Sequence, residues 1–133
     1  MDYERPDVVS LWIGNLPSRA SLDALLAESE DGVSRFATEL EVDWIDHDFC
    51  ESHFIVQPIG VARFVGCFSY SDSFLDALLE SVVPQSLPMI NAAVLLYDFD
   101  YSVQPNPVAV DRLVFAGSYR YDKGAAPRFP PLT

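Results

Sequence analysis

Residues 8–13 read Val-Val-Ser-Leu-Trp-Ile and end at Gly14-Asn15. Five of these six positions are apolar, too many for a strand with one face in water. A short run of this kind suits a central strand buried on both faces. Gly14-Asn15 is expected to form the turn that leaves it, with Gly14 holding a positive φ. Working outward, Pro17-Ser18 opens a helix in which Leu22, Leu25 and Leu26 recur at i, i+3 and i+4, so one stripe faces a core. Ser34 to Leu40 predicts a second short helix with Phe36 and Leu40 inward.

Further along, residues 54–68 fit a strand at Phe54-Ile55-Val56, a helix after Pro58, or both, because Gly60 and Gly66 interrupt either pattern. Ser73 to Val82 predicts a helix whose wide face carries Phe74, Leu75, Leu78, Leu79 and Val82, opened by a Ser73/Asp76 capping box. Asn91 to Tyr101 and Arg112 to Tyr121 predict two strands. The first is apolar on both faces before Tyr97, Phe99 and Tyr101 alternate with Asp98 and Asp100. In the second, Leu113, Phe115, Tyr119 and Tyr121 line one face and Arg120 lies on the other. The two are expected to pair antiparallel across a long connection containing Pro105 and Pro107. Trp12, Leu11, Leu95, Phe99 and Phe115 are the expected core. The fold class is α+β: a small, mainly antiparallel sheet with helices packed on it. Residues 1–121 make a single domain, and 122–133 a Pro-rich C-terminal tail.

The chain has 133 residues, 50% of them hydrophobic and 21% charged, which excludes a disordered polymer. Its net charge of −12 would be repelled by phosphate backbones and anionic lipid, so neither nucleic acid nor a membrane is an expected partner. Three acids and a Pro occupy the first seven residues, where a leader would carry bases, and a cytoplasmic protein is expected. Cys50 and Cys67 then read as reduced thiols.

The charge is concentrated. Residues 28–51 hold nine acids and one base, Arg35. Within this belt Asp43, Asp46, Asp48 and Glu51 surround Trp44 and Phe49, and aromatic anchors ringed by charge are a pattern of binding surfaces. These six residues are the candidate partner-binding site. Two alternatives stay beside it: a solvated acidic face, and internal ties in which Asp46 and Glu51 cap a helix or pair with Arg35 or Arg63. The segment Asp46-His47-Asp48 with Glu51 and His53 also contains metal-ligand types, and a metal-binding or metal-dependent protein using this cluster is the alternative function. Its spacing matches no established ligand signature. Cys50 and His53, at i and i+3, would meet on a helix as a nucleophile pair, although the surrounding acids oppose a thiolate. No other catalytic constellation is visible, and no cofactor is expected.

The strings VVSLWIGN (8–15), DWIDHDFCES (43–52), FSYSDSF (68–74), NAAVLLYDFDY (91–101) and FAGSYRYD (115–122), in this order, resemble the immunity protein 22 family of bacterial polymorphic toxin systems. The resemblance runs from Val8 to Asp122. It implies a protein without catalysis of its own, which binds and neutralises a cognate toxin by capping its active site or a nearby surface. An acidic inhibitor suits a basic toxin, and a nuclease is the foremost example, since its site is built to hold phosphate.

Overall fold

The computed structural model describes residues 2–132; the first residue of the expected domain and the last of the expected tail lie outside it. Four strands form one antiparallel sheet: β1 (Glu4–Gly14), β2 (Cys50–Gly60), β3 (Met89–Phe99) and β4 (Leu113–Arg120), in the order β2-β3-β1-β4. Helices cover both faces. On one side α1 (Arg19–Leu26) and α2 (Arg35–Leu40) pack on Trp12, Val94 and Leu96. On the other, α3 (Val61–Val65), α4 (Leu75–Glu80) and α5 (Val82–Ser86) cover the side that presents Val9, Leu11, Ile13 and Leu95. The doubly apolar run at 8–13 therefore sits in the middle of a three-layer sandwich. Ser10, its one polar residue, is fully buried and satisfied: its hydroxyl donates to the Phe99 carbonyl (2.7 Å) and accepts from the Tyr101 N–H (3.0 Å).

The strands at 91–101 and 112–121 do not pair with each other. β1 lies between them, bonded to β3 on one edge and β4 on the other. The reason is burial: a β3–β4 hairpin would leave β1, apolar on both faces from Val8 to Ile13, with an open edge, whereas the central position pairs both of its edges. Nor do the alternations persist through these strands. Asp98 adopts φ +54° at the irregularity where Glu4 opposes Phe99 but Val9 opposes Tyr97, so Tyr97 and Phe99 fall on opposite sides. Gly117, at φ +114°, marks a second irregularity in β4. Leu113 and Phe115 there face the α1/α2 side, and Tyr119 and Tyr121 the α3/α4 side. An extra residue in one strand of a pair shifts the phase of everything after it.

Other local expectations need the same correction. Gly14 does not hold a positive φ; it is needed because a Cβ would sit 2.0 Å from the Arg112 carbonyl oxygen where β1 and β4 close together. Of the expected core, Trp12, Leu11 and Leu95 are fully buried, while Phe99 and Phe115 are half-buried. Phe99 stacks on Tyr3, and Phe115 packs against Trp12 and Tyr101. Ser34 caps α2 through the Ala37 N–H (3.1 Å). No capping box forms at Ser73: its hydroxyl donates to the Tyr70 carbonyl, a 3-10 turn occupies Ser71–Ser73, and α4 starts at Leu75. Val82 lies on α5, 77% exposed rather than inward. Residues 54–68 resolve into both readings, β2 followed by α3. Residues 122–132 carry no helix or strand and fold back over α3 and α4. Phe129 donates its N–H to the Gly66 carbonyl (2.9 Å), and Arg128 pairs with Asp72 and Asp76.

Candidate functional site: an acidic groove at the end of the sheet

α2 stops at Glu41, whose left-handed backbone (φ +61°) directs its N–H to the Ala37 and Thr38 carbonyls. The chain then runs out as a loop pinned from beneath by Val42 and Ile45, both buried. Pinning two apolar residues in the order in-out-out-in leaves Asp43 and Trp44 outside. Asp46 ends the loop by accepting the Asp48 N–H (2.9 Å), which opens the 3-10 turn His47–Phe49. Cys50 then enters β2.

This loop is one wall of a groove of about 660 Å³. The opposite wall is residues 2–6, held by the stacking of Tyr3 on Phe99 (5.2 Å) and Tyr101 (5.7 Å) and by the bond from the Asp100 N–H to the Tyr3 carbonyl (2.8 Å). Residues 96–99 of β3 form the floor. Trp44 is 57% and Phe49 45% exposed, large aromatic surfaces left in water at the rim. Six carboxylates line the groove (Asp2, Glu4, Glu41, Asp43, Asp46 and Asp98); Arg5 lines it too, 3.5 Å from Asp100, and Lys123 pairs with Asp98 at 3.1 Å. Among the described residues, Glu4, Glu41 and Asp43 make no ion pair.

Four of the six candidate residues thus meet: Asp43, Trp44, Asp46 and Phe49 line the groove. Asp48 is exposed on the adjoining turn. Glu51 lies on the α3/α4 side, where it accepts the Tyr97 hydroxyl (2.6 Å) and the Ser69 N–H (3.1 Å). Its carboxylate is bound up within the fold, though with neither Arg35 nor Arg63. Burial and the neighbouring Glu51 push the Tyr97 hydroxyl pKa far up, so it stays a donor. The wall at 2–6 and Asp98 were not among the candidates. Asp2 precedes β1 and Glu4 begins it, and the pairing of β1 with β3 brings both beside the acidic belt.

The metal-ligand types in residues 46–53 are dispersed. His47 lies 3.4 Å from Glu28, Glu51 is held as above, and the His53 ring packs near Phe64. Among the described residues no group of three or more His, Cys, Asp or Glu is placed to hold a metal ion. Burial, and then Arg19, lowers the His53 pKa. Cys50 and His53 fall on a strand, where i and i+3 project to opposite faces. Burial and Glu51 also push the Cys50 thiol up to about 12, which opposes a thiolate at neutral pH. Both cysteines are free.

The groove is open, acidic and edged with aromatic area. The chain belongs to the Immunity protein 22 family, whose model matches residues 9–122 of the 133. Membership implies binding to a cognate toxin and a role without catalysis. No curated protein and no solved structure matches the chain. Among the described residues, no helix is long and apolar enough to cross a membrane.

Proposed function

We propose that this immunity protein acts in the cytoplasm, where it neutralises a basic toxin domain by docking the acidic groove and its aromatic rim onto the toxin. The observation that carries this reading is the exposure of Trp44 and Phe49 beside Glu41, Asp43 and Asp46, which among the described residues make no ion pair. Apolar aromatics supply the desolvated centre of an interface, and surrounding charge steers the encounter. Asp43 and Asp46 face the toxin from within the groove, and Asp48 from its shoulder. A nuclease is the toxin class best suited, because a site built to bind phosphate accepts carboxylates in the same places. Nucleic acid and membrane are not proposed as partners, because a chain of charge −12 is repelled by phosphate backbones and anionic lipid.

The test uses the cognate toxin domain. Calorimetric titration should show Trp44→Ala weakening binding by about 30-fold or more, the effect of losing an interface anchor. An unchanged affinity for Trp44→Ala and Phe49→Ala would place the interface elsewhere.

A further inference from the structure

From Asp122 to Leu132 the chain joins no helix or strand, and none of these residues is buried. The segment is nonetheless held at successive residues by α3 and by the turns that lead to α4. The Asp72 N–H donates to the Ala126 carbonyl (3.1 Å), the Arg128 N–H to the Ser71 hydroxyl (2.9 Å) and the Phe129 N–H to the Gly66 carbonyl (2.9 Å). Arg63 donates to the Pro130 carbonyl (2.9 Å) and lies over the Phe129 ring. Ser71, fully buried, knits this seat together, since its hydroxyl also donates to the Gly66 carbonyl (2.7 Å).

Two side chains give the contact its specificity. The Arg128 guanidinium reaches Asp72 through Nε (2.8 Å) and both oxygens of Asp76 through its terminal nitrogens, the fork that suits arginine to carboxylates. The Phe129 ring fills the space beside Gly66, where a Cβ would stand 2.3 Å from it. What holds this segment differs in kind from what holds the sheet. Asp72 and Asp76 are 60% and 76% exposed, so their pairs with Arg128 are open to water and salt. Phe129 and Leu132 are only half-buried against the core. Between Lys123, which pairs with Asp98 and Asp7, and Arg128 the chain is Gly-Ala-Ala-Pro, with no long side chain to anchor it. Segments with few buried contacts and exposed hydrogen bonds open at free energies well below that of global unfolding.

We infer that residues 126–132 are a strap over α3 and α4, latched by Arg128, that lifts as a unit while the sheet stays closed. Lys123 remains on Asp7 and Asp98, and the lifting breaks no bond of the β2-β3-β1-β4 ladders. It uncovers Gly66 and the apolar seat of Phe129, on the side of the sheet opposite the acidic groove. The fold thus carries a second face whose exposure its own C-terminal segment controls.

Native-state amide exchange, followed by NMR on the full labelled chain, tests this directly. The amides of Asp72, Arg128 and Phe129 report the strap, and those of Val94 and Leu95, paired on both sides within the sheet, report the fold. The three strap amides should share one protection factor, at least tenfold above the unfolded chain and at least 100-fold below Val94 and Leu95. Arg128→Gln should lower all three by tenfold or more and leave Val94 and Leu95 unchanged, with Arg128→Lys, which keeps the charge but not the fork, in between. Strap amides as protected as those of the sheet would make the tail part of the cooperative fold and overturn the inference. Unprotected strap amides in the parent chain, or strap amides that respond to Arg128→Gln by unrelated amounts or not at all, would overturn it too. If Arg128→Gln lowers Val94 and Leu95 by the same factor, or prevents folding, the segment stabilises the whole molecule and is no separable strap.

Discussion

Asp46 and Glu51 are five positions apart in one acidic stretch, yet the structure gives them opposite situations. Asp46 stands at the lip of an open groove on the α1/α2 side, using one oxygen to hold its own turn. Glu51 is drawn to the α3/α4 side, where Tyr97 and Ser69 donate to it and Tyr70 and Tyr121 pack against Tyr97 at 5.5 and 5.3 Å. The chain enters β2 between them, and strand geometry alone sends neighbouring residues to different faces. Charge density along a sequence thus does not mark one surface. Part of the belt is open to a partner, and part completes the fold.

The contrast breaks most severely if the layer beneath the groove is removed. Trp12 is fully buried and touches Phe36, Tyr101 and Phe115 with ring centroids at 5.1–5.2 Å. Trp12→Ala should cost about 3–5 kcal/mol, the range for emptying a large aromatic site. Denaturant unfolding should show the loss with little change in m-value. Glu51→Ala comes next, at about 1–3 kcal/mol, because it strips acceptors from two donors of the folded state. Glu51→Gln keeps an acceptor there and should recover at least half. Toxin binding by folded Glu51→Gln should match the parent, the outcome that separates this carboxylate from Asp43.

A smaller effect comes from Asp98, which borders both regions. Burial alone would raise its pKa, but bonds from the Tyr121 hydroxyl (2.7 Å), the Asp7 N–H (2.9 Å) and Lys123 (3.1 Å) outweigh it and hold the carboxyl below its ordinary 3.8. A carboxyl that titrates lower in the folded chain contributes stability in full above that value. The contribution is lost as pH falls through the depressed folded pKa. Melting followed from pH 6 downward should therefore show part of the acid destabilisation below about pH 4 disappear in Asp98→Asn.

Much of this architecture is legible in the chain. The both-faces apolar run at 8–13 places β1 centrally, and the Leu22/Leu25 and Phe36/Leu40 spacings give α1 and α2. The phase of β3 and β4 is not legible, because it depends on an irregularity in each of their ladders with β1. Asp98 takes a left-handed conformation that few sequences announce, and Gly117 is one glycine among six. The site divides in the same way. Trp44 and Phe49 among acids are visible as a local cluster. The wall at 2–6 is remote in sequence, and the withdrawal of Glu51 requires knowing that Tyr97 lies across the strand pair. Short-range chemistry can be found along the chain; what the sheet brings together or separates cannot.

The gentlest perturbation should distinguish the two regions most sharply. Asp43 and Asp48 are exposed, and among the described residues neither takes part in an ion pair. Reversing both to lysine should change stability by no more than about 0.5 kcal/mol, as surface substitutions away from special contacts do. Removing two negative charges and adding two positive ones nonetheless changes the local charge by four units. Steering depends on that field, so stopped-flow association with the toxin domain at low salt should slow by roughly 10–100-fold. Raising the salt should narrow the gap, because exposed charges more than about 10 Å apart are largely screened at 0.1 M. Dissociation should change less than association if these carboxylates lie at the rim, and more if they are desolvated in the complex. A double variant that folds normally and associates at the parent rate, with the parent salt dependence, would show that the open carboxylates are no more functional than the enclosed Glu51, and the contrast between the two regions would be structural alone.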